Sequence, residues 1–278
     1  MRFKFIACAA LLILLPFANN AHAAKLAFSG VILDQGNNPV LSDFTDWLST
    51  HGDYPLEPAY TESYQALSDA LKKHRNDMAW TCGVPFVEDH ARDGQQLVAV
   101  PLFRGEATYY SVTVTRAGRA EKKLGDFKAG VLAYSDPRSN SGFVAPAFAL
   151  QQQGLDINKH FRLLLHTGLH EGSINAVLNG LADVANVDEY ILVEYLKSHP
   201  QDSDKLVVLE RFGPFPFTPI VAGSKTPEDV IKRLQQALVS MHEDAEGKRI
   251  LDLLGLDGFV IKPTSFYQPV ASMLESLK

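Results

Sequence analysis

An α/β protein built as two lobes is predicted from three observations. Short β-rich runs alternate with amphipathic helical stretches along most of the chain, the pattern of largely parallel sheets covered by helices. The first 23 of the 278 residues read as a removable leader, and the 255 that remain are enough for two separate cores. Two passages, near 105–112 and 210–218, read as connections, so a central segment (109–212) is inserted into a flanking one (24–108 with 213–278). That is the plan of two lobes joined by a two-segment hinge, with a cleft between them.

In chain order, Lys25 to Phe28 reads as a strand, and Leu41 to Thr50 as a helix with Phe44, Trp47 and Leu48 on one face. Leu56 to Tyr60 is a second strand; Thr61 to His74 is a helix whose Tyr64, Leu67 and Leu71 recur at helical spacing. Asp77 to Thr81 is a buried-strand run that stops at Cys82-Gly83, and Pro85 begins the next element. Gln96 to Phe103 and Tyr109 to Thr115 are strands on either side of the first connection. Next come strand 130–134, helix 142–153, strand 161–166, helix 170–180, strand 182–187, helix 188–197 and strand 205–211. Gly213-Pro214-Phe215-Pro216 breaks the pattern. Pro219 to Ala222 is again a strand, Thr226-Pro227-Glu228 starts a helix, and helices near 245–254 and 264–276 finish the chain.

The ends and the composition narrow the function. Met1 to Lys4 is a short basic stretch, Phe5 to Phe17 is apolar, and Ala21-His22-Ala23 is a small-residue cleavage signal. Together they read as a secretory signal peptide cleaved near Ala23. Cys8 lies inside the apolar part, which argues against a lipoprotein anchor. No other apolar run nears the roughly 20 residues of a spanning helix, so the mature chain is expected in the periplasm and not embedded in the membrane. The formal charge is −6, and losing Arg2 and Lys4 with the leader makes it more negative, the wrong balance for a nucleic-acid partner. Cys82 is then the single thiol, so no internal disulfide forms.

The most informative stretch is Tyr134-Ser135-Asp136-Pro137-Arg138-Ser139-Asn140-Ser141-Gly142, where a β-rich run ends in an Asp-Pro turn and small hydroxyl and amide residues open a helix. The first N–H groups of a helix lack intrahelical partners and carry the positive end of the dipole, so an anion there gathers donors, to which Ser139, Asn140 and Ser141 add their own. The plainer reading is an ordinary N-cap. His170 falls at the end of a strand and the start of a helix, which is where ligands sit in open α/β sheets; it is equally a capping or surface histidine. Tyr64 and Tyr109 offer phenol donors or are half-buried aromatics. Cys82 is expected towards the cleft rim, as a reactive thiol or as a small buried apolar residue. No nucleophile elbow, Walker loop, zinc spacing or dinucleotide glycine pattern is present, so no enzymatic activity, metal or cofactor is expected.

These residues together resemble the phosphate/phosphite/phosphonate-binding proteins of ABC importers, the PhnD-like group with a type II periplasmic-binding-protein fold. The resemblance runs from about Tyr60 to the last helices. It is carried by Asp136-Pro137-Arg138-Ser139-Asn140-Ser141-Gly142 with Pro146, by Gly168-Leu169-His170-Glu171, by Gly180 to Ala185, by Tyr64 with Asp77 to Trp80, and by Tyr109 to Val112. It implies an oxyanion held by Ser139, Asn140, Ser141, His170, Tyr64 and Tyr109. Three positions depart from the family pattern. Asn140 replaces a Thr, Cys82 stands where a Gly or another small residue is more usual, and Thr218 replaces an acid before Pro219-Ile220-Val221, while Asp188 and Glu189 lie near where a second acid would be.

The expectation is a monomeric periplasmic solute-binding protein that captures a small oxyanion for an ABC transporter permease. Thr218 makes an aminoalkyl phosphonate a poor guess. The alternative is a periplasmic sensor, for arsenite or another oxyanion held through Cys82, signalling to a membrane histidine kinase.

Overall fold

The computed structural model describes residues 24–29, 39–74 and 77–278. The expected signal peptide and its cleavage point near Ala23 lie outside the described residues. The strands are β1 (Ala24–Ser29), β2 (Leu56–Thr61), β3 (Met78–Trp80), β4 (Gln96–Leu102), β5 (Thr108–Arg116), β6 (Val131–Tyr134), β7 (Leu163–His166), β8 (Val184–Asp188), β9 (Leu206–Pro216), β10 (Ile220–Ala222) and β11 (Gly258–Val260). The helices are α1 (Pro39–His51), α2 (Tyr64–Lys73), α3 (Gly83–Asp93), α4 (Ala145–Gln151), α5 (Ile157–His160), α6 (His170–Leu178), α7 (Glu189–Ser198), α8 (Glu228–Ser240), α9 (Ala245–Leu254) and α10 (Gln268–Ser276).

Two sheets result. The first, ordered β11-β4-β10-β3-β1-β2, takes strands from both ends of the sequence; the second, ordered β7-β6-β8-β5-β9, takes those between. The helices α1, α2, α3, α8 and α9 cover the first sheet, and its core is dominated by large apolar side chains such as Phe44, Trp80, Phe86 and Leu238. The second lobe has two smaller clusters, one around Val112, Val114 and Val187 and one around Leu124, Leu132 and Leu150.

The sheets are mixed rather than largely parallel. β1 runs parallel to β2 and β3, and β6 to β7 and β8, but β10 is antiparallel to β3 and β4, β11 to β4, and β5 to β8 and β9. The cause is the double crossing. β5 leaves the first lobe and β9 returns to it, so β10 enters its sheet from the cleft side and runs against β3. The expected break at Gly213-Pro214-Phe215-Pro216 is also corrected, because β9 continues to Pro216 and pairs it with Thr108. Its irregularity is absorbed by a register shift opposite Tyr109 and Ser111, beside a cis Gly213–Pro214 bond. Among the described residues no helix is long and apolar enough to cross a membrane.

The geometry that matters for function is where strands stop. β3, β6 and β8 end at the junction between the lobes, and a helical segment follows after a short turn in the first two cases and directly in the third, at Gly83, Asn140 and Glu189.

Candidate functional site

The junction is built from short-range choices. After β6, Ser135 and Asp136 lead into the Asp-Pro turn, and Ser139 caps the next helical segment by accepting the Gly142 N–H at 3.0 Å. The plainer N-cap reading therefore holds for Ser139, but the helix it opens is unusual. Residues Asn140–Val144 form a wide π-turn before α4 begins at Ala145. Such turns recur at functional sites because they turn backbone groups out of the regular ladder. Gly142 is required there by space: a Cβ on it would lie 2.5 Å from Ser135 Oγ and 3.0 Å from Ser139 Oγ.

The expected site residues come together from both lobes. Tyr64, Cys82, Tyr109, Ser139, Asn140, Ser141, His170, Asp188 and Thr218 are all buried. Asn140 donates through Nδ2 to Tyr109 OH (3.0 Å) and through its backbone N–H to Cys82 Sγ (3.4 Å). His170 Nδ1 accepts from the Asp188 N–H (3.4 Å), which leaves the proton on Nε2, directed at Ser139 Oγ 3.5 Å away. Tyr64 opens α2, and its backbone N–H reaches across to Asp136 Oδ2 at 3.2 Å. Ser141 is held by its carbonyl, which accepts from Ser111 Oγ at 2.7 Å.

These bonds leave hydroxyl protons to spare. Tyr109 and Ser139 each accept from a protein donor and each keep an O–H proton, with Ser141 beside Tyr109 and His170 beside Ser139. Ser135 Oγ and Thr81 Oγ1, both buried, have no hydrogen-bond partner among the described residues, and neither does Asn140 Oδ1. Buried polar groups are normally satisfied, so the Ser135 and Asn140 atoms beside the π-turn, with Thr81 next to Cys82, suit a polar ligand.

Burial favours the neutral forms of the titratable groups among these nine residues. Burial pushes the Tyr64 and Tyr109 phenols well above their usual range, with the neighbouring Cys82 adding to it. Burial lowers His170 to about 3, so its imidazole is uncharged at neutral pH. Burial raises Asp188 to about 8 against the opposing N–H groups of Tyr190 and Ile191. No lysine or arginine is among the nine residues. What positive potential exists comes from helix N-termini: α2, α3, α6, α7 and the π-turn before α4 all start here.

One expectation needs correction, and three further positions are placed by their partners. Cys82 is not at a rim; it is 2 % exposed, beneath the cradle, and burial raises its thiol pKa. The sensor alternative needed Cys82 open to the cleft, and this burial does not favour it. Asn140 spends a donor on Tyr109 rather than reaching freely as a Thr would. Thr218 accepts from Trp80 Nε1 at 3.0 Å, and Glu189 is drawn away by Arg211 at 3.0 Å. Sequence reasoning passed over Ser135, Thr81 and Ser111. Ser135 sat inside the singled-out stretch, and the strand-end position that flagged Cys82 applied equally to Thr81.

A family model described as "ABC transporter, phosphonate, periplasmic substrate-binding protein" matches residues 38–264. Among solved structures, the chain is similar to a binding protein component of an ABC phosphonate transporter from Pseudomonas aeruginosa, with 19 % identity, 91 % of this chain and 86 % of that chain covered, and a TM-score of 0.80. It is also similar to PhnD1 of Prochlorococcus marinus in complex with methylphosphonate (19 % identity, 91 % and 98 % covered, TM-score 0.78). A third likeness is to a Xanthomonas citri protein bound to ATP (16 % identity, 91 % and 98 % covered, TM-score 0.73).

Proposed function

The chain belongs to the family of periplasmic substrate-binding proteins of phosphonate ABC transporters, and on that premise we propose that its cleft captures a small phosphate-, phosphite- or phosphonate-like oxyanion for delivery to a permease. The observation that carries this reading is the surplus of buried O–H donors, from Tyr109, Ser139, Ser135 and Thr81, at the convergence of helix N-termini. Such groups solvate an anion's oxygens without a countercharge. Capture proceeds by closure of the two lobes, which buries the ligand and aligns donors from both. The neutral imidazole of His170 adds its Nε2–H, and the unpartnered Asn140 Oδ1 suits a ligand hydroxyl.

Carboxylates that would hold an aminoalkyl ammonium are lacking at the positions considered. Thr218 stands in for one acid and is tied to Trp80; Glu189 is paired with Arg211; Asp188 is kept protonated by burial and caps α7. The ligand is therefore a small unsubstituted or alkyl oxyanion. The protein works in the periplasm as a monomer after removal of its leader, and catalyses no reaction.

Isothermal titration against phosphate, phosphite, methylphosphonate and 2-aminoethylphosphonate tests the proposal. At least one of the first three is expected to bind, with the aminoalkyl compound at least about tenfold weaker for want of an ion pair. Absence of binding to all four overturns the oxyanion reading.

A further inference from the structure

The residue just before the cradle points away from the cleft floor. Arg138 belongs to the second lobe, between Asp136 and the capping Ser139, yet its guanidinium is spent on the first. Nε donates to Glu88 Oε2 at 2.9 Å, Nη2 lies 2.8 Å from the same oxygen and 2.9 Å from Asp89 Oδ1, and Nη1 donates to Ser68 Oγ at 2.7 Å. Ser68 is on α2; Glu88 and Asp89 are on α3.

The receptor for this side chain is prepared by the first lobe alone. The Asp89 carboxylate is 1 % exposed, and it also accepts from Ser68 Oγ, from Arg92 Nη2 at 2.8 Å and from Gln95 Nε2 at 3.3 Å. All three of those donors lie within α2, α3 and the two residues after α3, so the carboxylate stays satisfied when the lobes part. The planar, five-donor guanidinium then adds a fork that only a closed cleft can seat. Two residues earlier, Asp136 makes a second crossing by accepting the Tyr64 N–H at the start of α2. A negative group thus meets a helix N-terminus while a positive one meets two carboxylates, and Ser139 comes directly after. Parting the lobes on the cleft side breaks these contacts, whereas the pairing of β5 with β9 lies within one sheet.

We propose that Arg138 is the positioning residue that latches the cleft shut, through Glu88, Asp89 and Ser68, and so sets how long the oxyanion stays bound. The proposal rests on the reading of the cleft as the ligand site. Ligand dissociation requires opening, so a contact made only when closed slows release, and its loss lowers apparent affinity through the closed fraction.

The test uses the mature protein, its Arg138→Gln and Arg138→Lys variants, and methylphosphonate, phosphite and phosphate as probes. Stopped-flow displacement should show dissociation about tenfold faster for Arg138→Gln, since truncating one partner of a buried charged pair acts mainly on the off-rate. Arg138→Lys, which keeps the charge but not the fork, should recover roughly a third of that loss or more. Melting midpoints of all three should agree closely, because none of the apolar clusters includes Arg138, Ser68, Glu88 or Asp89. Equal dissociation rates for wild type and Arg138→Gln overturn the latch. If the wild type binds none of the probes, the site reading fails instead, and small-angle scattering of the free proteins decides. A larger radius of gyration for Arg138→Gln supports the latch, and an unchanged one overturns it.

Discussion

The two lobes bury different chemistry. In the first, aromatic rings meet ring to ring: Phe44 stacks on Phe259 at 5.8 Å between centroids and tilts against Trp80 at 6.0 Å, and Phe86 meets Tyr267 edge-on at 4.9 Å. In the second, a belt of polar side chains lies fully inside the sheet. Asn186 donates to Thr113 Oγ1 at 3.0 Å and Ser111 Oγ at 3.3 Å, and Ser111 passes its own proton to the carbonyl of Ser141. The first lobe gains stability from apolar area; the second gives some up for a hydrogen-bonded path that fixes the cradle. Rigidity against solvent and rigidity of a recognition surface are thus assigned to separate halves.

If that division is sound, a substitution in the first core should cost stability and spare affinity. Phe44, which is fully buried, is the sharpest probe. Phe44→Ala should lower the unfolding free energy by about 3–5 kcal/mol in urea titrations, the usual cost of a large-to-small change with a residual cavity. Oxyanion affinity of the folded fraction should change by less than about threefold. An affinity loss that tracks the stability loss would break the comparison.

The converse probe is Gly142, in the second lobe. Its Cβ space is occupied by the hydroxyls of Ser135 and Ser139, so Gly142→Ala must displace the donors themselves. A loss of at least about 100-fold in affinity is expected, near 2.7 kcal/mol, with an unfolding penalty of only about 1–2 kcal/mol for local overpacking. Calorimetry and urea unfolding of the same sample read both, and affinity kept within threefold would count against a cradle at this turn.

Legibility in the sequence divides along the same line. The cradle was legible because Asp136-Pro137 and Ser139 to Gly142 act through local geometry: a turn, a cap and a close approach. The helix at His170 and the strand before it were legible from periodicity. Other features depend on partners far away in sequence. Cys82 is buried because the Asn140 backbone, 58 residues on, lies over it. Ser111 and Asn186 look like ordinary strand residues until they are found 3.3 Å apart. β11 is three residues long and pairs with β4 at the sheet edge, so Gly258-Phe259-Val260 carried no alternation to notice. Arg138 follows the Asp-Pro pair without a local partner for its guanidinium, whose partners Ser68, Glu88 and Asp89 all lie in the opposite lobe.

The smallest expected effect sharpens the contrast through pH. Between about 4 and 8 the folded protein holds a proton on Asp188 that the unfolded chain, at 3.8, has released, so stability falls as pH rises through that range. His170 works oppositely: folded it releases its proton by about 3, unfolded only near 6.5, so stability rises with pH between those values. The two slopes oppose each other up to about 6.5, and above that Asp188 acts alone. From 6.5 to 8 the unfolding free energy should decline by at most about 1.4 kcal/mol per pH unit, one proton's worth. Asp188→Asn should flatten that window, while Phe44→Ala, whose deficit is apolar, should keep the wild-type slope beneath a constant offset. Urea unfolding at several pH values across the window separates the cases. A slope that survives in Asp188→Asn would mean that Asp188 is ionised in the folded state, leaving the cleft with a buried negative charge that an oxyanion would have to overcome.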